Sequence, residues 1–310
     1  MKTSIAMTIY NGEKYLVEQL DSIKNQSIVV DEVIICDDVS SDNSVNIVKE
    51  YIVSNGLEDT WHLYENEKNL GYADNFYKAM KLCKGEYIFL ADQDDIWDSN
   101  RIEMMVDVMD ENPNIKLMGS EFTPFYCTED APKITSKQLK SMNNNGDLEH
   151  IKLDNKTIFI GCEGCTMVVR KDFLEEIGKY WHDGWAHDEF IWKMALCYNG
   201  CYVYHKSTLD RRLHSNNASK NKLHDYNNRV NFLKELQKSH EGMLVCAKDL
   251  KLDEKYINLI NKNIDSVKLR VDLLDNKKYM NTIPLTLFYS NNYHSRKSIP
   301  VELLMAIRNK

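Results

Sequence analysis

Three times within the first hundred residues, a short apolar run ends abruptly in polar or acidic side chains, and an amphipathic stretch follows. Ser4-Ile5-Ala6-Met7-Thr8-Ile9-Tyr10 meets Asn11-Gly12. Asp31-Glu32-Val33-Ile34-Ile35-Cys36 meets Asp37-Asp38-Val39-Ser40-Ser41-Asp42. Tyr87-Ile88-Phe89-Leu90 meets Ala91-Asp92-Gln93-Asp94-Asp95. Runs of this length, β-branched or aromatic and bounded by turn residues, predict buried strands; Trp61-His62-Leu63-Tyr64 is a weaker one. Between them Tyr15, Leu16, Leu20 and Ile23, then Val45, Ile47, Val48 and Ile52, then Phe76, Met80 and Leu82 recur at helical spacing. Ser41 or Asp42 suits the cap of the second helix. Such alternation dictates an α/β architecture: a mostly parallel central sheet with helices on both faces.

The strand ends carry the chemistry. Thr8 and Tyr10, then Asp37 and Asp38, then Asp92 and Asp94 fall at the carboxyl ends of successive strands, where open α/β sheets bind their ligands. One such end is weak evidence; three along one edge describe a crevice lined with oxygen ligands. Asp92, Asp94 and Asp95 place three carboxylates within four positions, a sulfur-free set that suits Mg²⁺ or Mn²⁺. The alternative is a solvated acidic turn. Neither G-x-G-x-x-G nor G-x-x-x-x-G-K-[ST] occurs, which disfavours a dinucleotide fold and a P-loop.

Further along, Ser99 to Asn112 forms an amphipathic helix stopped by Pro113, and Lys116 to Ser120 a strand. Phe122 to Leu153 has poor periodicity, and a long insertion of this kind in an enzyme often carries function. Thr157 to Cys162 and Thr166 to Arg170 are strand-like, with Asp172 capping a short helix. In Gly184-Trp185-Ala186-His187-Asp188-Glu189-Phe190-Ile191-Trp192, two carboxylates stand among aromatic side chains. Desolvation there raises a carboxyl pKa toward working pH, as a general base requires; the plain alternative is an acidic first turn that suits the helix dipole. Gly200 to Tyr204 is another strand, followed by the basic segment Arg211-Arg212-Leu213-His214-Ser215-Asn216-Asn217. After Lys222, apolar residues recur by threes and fours: Val230, Leu233 and Leu236, then Ile257, Ile260, Ile264, Val267, Val271 and Leu274. These predict a C-terminal helical appendage.

The net charge of -8 argues against a sequence-independent nucleic-acid binder. No apolar stretch is long enough to span a bilayer, and Met1-Lys2-Thr3 enters a strand without a secretory segment. The chain is therefore expected in the cytoplasm, with reduced thiols. Cys162…Cys165 and Cys197…Cys201 have spacings compatible with zinc, but small buried residues are the favoured reading. Ser295-Arg296-Lys297 adds basic charge near the end. Packing explains the C-terminal helices most simply; peripheral contact with the inner face of the plasma membrane is the sharper alternative.

The series Thr8-x-Tyr10-Asn11-Gly12-Glu13-Lys14-Tyr15-Leu16, Ile34-Ile35-Cys36-Asp37-Asp38-x-Ser40-x-Asp42, Asn69-Leu70-Gly71-Tyr72 and Asp92-Gln93-Asp94-Asp95-Ile96-Trp97 resembles the family 2 glycosyltransferases of GT-A fold. The last motif is similar to that of bacterial rhamnosyltransferase-like members that build surface polysaccharides. The resemblance implies an inverting, metal-dependent transfer from a nucleoside diphosphate sugar, UDP- or dTDP-linked with dTDP-rhamnose among the candidates. The implied acceptor is a saccharide, with a lipid-linked one among the candidates. It implies that Thr8 and Tyr10 lie against the base, that Asp38 accepts from a base N–H, and that Asp92 meets the ribose. Asp94 would hold Mn²⁺ or Mg²⁺, with His214 as a further ligand. Arg212 and His214 would meet the diphosphate. Asp188 would be the base, with Glu189 competing. Val39 departs from the family's small or polar residue. The implied organisation is a catalytic domain over 1–222, split into a nucleotide half 1–98 and an acceptor half 99–222, with a helical region over 223–310. Two rivals stand beside this reading. A nucleotidyltransferase also uses an acidic cluster but needs an early Gly-rich or basic loop, absent from Met7 to Gly12. A non-catalytic nucleotide-sugar-binding module needs no carboxylate at Asp188.

Overall fold

The computed structural model describes residues 1–215 and 225–308. The boundary expected at 222, Asn216 and Asn217 of the basic segment, and the terminal Lys310 lie outside the described residues. The chain alternates β1 (Thr3–Ile9), α1 (Leu16–Lys24), β2 (Glu32–Asp37), α2 (Ser44–Ser54), β3 (Trp61–Glu65), α3 (Tyr72–Leu82) and β4 (Tyr87–Ala91). Then come β5 (Ile96–Trp97), α4 (Arg101–Glu111), β6 (Leu117–Tyr126), α5 (Ser136–Ser141), β7 (Leu148–His150), β8 (Val168–Arg170), α6 (Lys171–Ile177), α7 (His187–Cys197) and β9 (Cys201–Leu213). Helices α8 (Tyr226–Asp249), α9 (Glu254–Asp275), α10 (Thr282–Leu287) and α11 (Ser298–Arg308) end it.

The sheet order is β3-β2-β1-β4-β8-β6-β9-β5, with β7 on β9. Strands β1 to β4 are parallel to one another, β8 runs antiparallel between β4 and β6, and β6 and β9 are parallel. β2 and β4 are buried along their whole length, as strands covered on both faces must be. Ile5, Met7 and Ile9, with Val33 and Ile35 and with Phe89 and Ala91, alternate onto one face, where Leu16, Leu20, Ile23, Ile102, Met105 and Met109 join them in one core. Each of these buried side chains larger than alanine contributes about 1.5–3 kcal/mol of transfer free energy. The apolar spacing of α1 and α4 is thus what holds the strand ends in place.

Two local expectations are revised. Thr157 to Cys162 is not a strand, because the Asp154 carboxylate accepts the N–H groups of Lys156 (2.6 Å) and Thr157 (2.8 Å) and closes a turn. The stretch from Phe122 is less irregular than its periodicity predicts: β6 continues to Tyr126, and α5 and β7 lie within it.

The chain folds as two compact units. One takes Met1–Ile151, Cys162–Ala195 and the strand after Gly200; it contains every residue of the expected site. The other takes Lys152–Gly161, Leu196–Asn199 and the described C-terminal helices. Its own core takes Val230, Leu233 and Leu236 of the first predicted stripe and Val267 and Leu274 of the second, joined by Leu273 and Leu285. Among the described residues no helix is long and apolar enough to cross a membrane.

Candidate active site

The end of β1 is locked to the acidic hairpin. Tyr10 donates its N–H to Gln93 Oε1 (2.8 Å), and Gln93 Nε2 donates to the Tyr10 carbonyl (3.1 Å). A Cβ on Gly12 would collide with that carboxamide, so a larger residue here would displace the Gln93 side chain and its two hydrogen bonds. The Tyr10 ring is exposed and Thr8 is half-buried.

At the end of β2, Asp37 accepts the N–H groups of Val39 (3.0 Å) and Ser40 (3.1 Å). Val39 has φ +67, a left-handed conformation that strains a β-branched residue. Asp38 is buried and accepts from Leu70 N (2.7 Å), Gly71 N (2.9 Å) and Asn66 Nδ2 (2.9 Å). The two motifs expected at the site, Asp37-Asp38 and Asn69-Leu70-Gly71, are therefore strapped together.

At the end of β4, burial followed by the neighbouring Asp95 and Asp94 charges pushes the Asp92 carboxyl well above the usual range. Burial, then Asp94, pushes Asp95 up to about 7. Asp95 Oδ1 accepts the Arg212 N–H at 2.9 Å, while Oδ2 is buried without a hydrogen-bond partner among the described residues. Asp92, Asp95 and the Cys165 thiol offer ligand atoms within 4.8 Å of one another. Burial holds that thiol protonated, so the cluster presents carboxylates beside a neutral sulfur. Asp94 Oδ2 lies 2.7 Å from His214 Nε2, which brings together the two residues expected around a metal. Behind the cluster, Arg101 is fully buried, donates to the Cys165 carbonyl (2.9 Å) and lies over Trp97.

Strand β9 delivers the basic residues. Its pairing with β5, Ile96 opposite Asp210 and Trp97 opposite Leu209, sets Arg211 to His214 beside the hairpin. Neighbours on a strand face opposite sides, and the two arginines divide accordingly. Arg211 pairs with Glu163 at 3.0 Å, and its charge acts on Asp92 and Asp95. Arg212 donates to the Asp94 carbonyl (2.7 Å), pairs with Glu18, and lies between the rings of Tyr15 and Phe125. Tyr15 also packs on His214.

Helix α7 opens with His187, Asp188 and Glu189. Burial pushes the Asp188 carboxyl up to about 6, and its charge is felt at Asp92. Glu189 instead pairs with Lys193, itself fully buried, at 2.8 Å. His187 is stacked on Phe76, and burial pushes it down to about 3, so the ring is neutral. Neither ring nitrogen has a hydrogen-bond partner among the described residues. A Cβ on Gly164 would come within 3.2 Å of His187 Nε2 and 3.4 Å of Asp188 Oδ2; the glycine keeps a notch open between them. The strand ends, hairpin, β9 and α7 thus converge. Gln93, Glu163, Gly164, His187 and Arg211 join the site without having been assigned a role from sequence. Strand alternation from His214 would have separated Arg211 from Arg212; the others had no local signal.

A mostly parallel sheet with acids gathered at the ends of β2 and β4, closed by a basic strand and an acidic helix start, is the architecture of the GT-A glycosyltransferases. S. aureus TarS 1-349 in complex with UDP-GlcNAc matches it with a TM-score of 0.69 at 17% identity, over 100% of this chain and 89% of that one. The mannosyltransferase PcManGT from Pyrobaculum calidifontis, in complex with GDP-Man and Mn²⁺, gives 0.54 at 15% identity, over 100% and 88%. The family model "Glycosyl transferase family 2" matches residues 4–178, and the chain belongs to that family. The dTDP-rhamnosyl transferase RfbG of Shigella flexneri is 30% identical over 223 residues, 68% of this chain and 72% of that protein. The Escherichia coli UDP-Glc:alpha-D-GlcNAc-diphosphoundecaprenol beta-1,3-glucosyltransferase WfgD is 36% identical over 119 residues, 38% and 45% of the two chains.

Proposed function

We propose that this glycosyltransferase moves a sugar from a nucleoside diphosphate to a saccharide hydroxyl with inversion, in one displacement. The observation that carries the reading is the convergence of a half-buried carboxyl raised to about 6, Asp188, on the hairpin whose Asp94 meets His214. Asp188 takes the proton of the acceptor hydroxyl while that oxygen attacks the anomeric carbon; the bond to the diphosphate oxygen breaks and its electron pair departs with the nucleotide. Glu189 is committed to Lys193, which favours Asp188 as the base. The Asp94 carboxylate suits Mn²⁺ or Mg²⁺, and an imidazole beside it favours Mn²⁺ over the strictly oxygen-seeking Mg²⁺, so Asp94, with His214 next to it, is the residue to hold the ion. When bound, it stabilises charge on the leaving diphosphate.

Thr8 and the exposed Tyr10 ring flank the base. Asp38, oriented by Leu70 and Gly71, keeps lone-pair capacity for a base N–H, and Asp92 faces the ribose. Arg212 and His214 stand on the diphosphate side. Similarity to RfbG supports dTDP-rhamnose as donor, with UDP-hexoses the competing class; the name of WfgD supports a lipid-linked saccharide acceptor. In such a role the chain works in the cytoplasm, against the inner face of the membrane, with residues 1–222 catalytic and 223–310 a helical attachment. Nucleotide release with Mn²⁺ tests the reading. Wild type should release nucleoside diphosphate and Asp188→Asn about 10²–10⁴-fold less. Pyrophosphate would indicate a nucleotidyltransferase instead, and no product a binding module.

A further inference from the structure

The helical unit carries charge opposite to the rest of the chain. From Asp225 onward there are fifteen Lys and Arg against ten Asp and Glu, whereas residues 1–224 hold twenty-four against thirty-seven. After Asp275, Glu302 is the one acidic residue, and it is fully buried. Arg229 Nη2 and Arg270 Nη2 both lie 2.7 Å from Glu302 Oε1, and both arginines are buried. Among the described residues Glu302 is the only carboxylate in ion-pair distance of either. Two guanidinium groups thus share one carboxylate, leaving about one unit of positive charge away from water, an arrangement that costs free energy unless a further anion compensates it.

That excess charge lines a cavity of about 330 Å³ within the same unit. Phe232, Leu236 and Val301 supply apolar wall, and the exposed Lys297 stands at the lining beside the hydroxyls of Ser295 and Ser298. Among the described residues no carboxylate lines it. The apolar wall runs out onto the surface: Phe232 is 41% exposed, Val301 37% and, one turn on along α11, Leu304 50%. A guanidinium pair selects phosphate oxygens, and an apolar wall that continues to the surface selects a hydrocarbon chain attached to the phosphate. Neither nucleic acid nor an acidic peptide offers both.

We propose that this cavity binds the phosphate of an anionic phospholipid, with the exposed faces of Phe232, Val301 and Leu304 resting among its acyl chains, so that the helical unit docks on a negatively charged membrane. This site stands apart from the donor chemistry, and its test does not require transferase activity. Full-length protein is sedimented with vesicles of phosphatidylcholine alone and of equimolar phosphatidylcholine and phosphatidylglycerol. Binding to the second but not the first is expected. Lys297→Glu and Val301→Asp should each weaken it about tenfold, while Lys255→Glu, the same charge change on an exposed residue outside the lining, should leave it within about twofold. Circular dichroism and nucleotide release, measured on each variant, report folding and the active site separately. Equal loss in Lys297→Glu and Lys255→Glu would show charge without a site and overturn the proposal. So would binding to inorganic phosphate with none to either vesicle, which would mark a plain anion site.

Discussion

Val39 stores strain that its neighbours hold in place. A β-branched residue at φ +67 persists because the Asp37 carboxylate grips the N–H groups of both Val39 and Ser40. Val39→Gly should therefore raise stability by about 1 kcal/mol, read as the denaturation midpoint. Asp188 makes a second prediction. A base raised to about 6 must lose its proton to work, so kcat/KM should fall as pH drops through about 6, with Glu189→Gln keeping that limb. Gly164→Ala intrudes on His187 and Asp188 and should lower kcat for transfer more than it changes the melting temperature. Asp188 stands out in the sequence because aromatic neighbours announce a desolvated carboxylate. The separate duties of Arg211 and Arg212 are half legible: alternation puts Arg212 on the face of His214 and Arg211 on the other, and the pairing with β5 fixes which face meets the acids. His187 carries no signal at all: its isolation comes from Phe76 and Gly164, far away along the chain.

Among the elements, β9 does most to assemble the site, and its centre has a titratable brace. His205 Nδ1 lies 2.8 Å from Glu121 on β6, and Nε2 lies 3.0 Å from Glu149 on β7. Burial pulls the imidazole down, but the two carboxylates outweigh it and leave the pKa raised. A histidine raised in the folded state stabilises fully below its unfolded value, about 6.5, and that contribution is lost as pH rises through the folded value. The gap in melting temperature between wild type and His205→Gln should accordingly be widest near about pH 6 and close in alkali. The strand-helix alternation through β4 is readable because burial on both faces forces continuous apolar strands and α1 to α3 repeat cleanly. The turn at Asp154 escapes a reading by pattern because Thr157 to Cys162 has strand composition, while a single carboxylate captures its backbone.

At the scale of the molecule, the acids gathered at the sheet edge repel one another, and the charge of Arg211 offsets that repulsion only in part. Stripping divalent cations with a chelator should abolish sugar transfer, and Mn²⁺ should restore it. Asp94→Asn should need a far higher Mn²⁺ concentration for half-maximal rate, as a lost charged ligand requires. The GT-A frame is legible early, since parallel strands with one polar and two acidic ends in register must gather those side chains along one edge. The cavity around Arg229 and Arg270 is not, because its members come from α8, α9, α11, the segment before α11 and the distant Phe159, and only packing joins them. The ladder between β5 and β9 has one more consequence. Its phase, not its length, decides which arginine meets the acids. Anyone grafting a foreign acceptor segment into this scaffold can lengthen the connecting loops freely, yet a splice that shifts β9 by a single residue would exchange the two guanidinium groups and carry the imidazole at 214 away from Asp94.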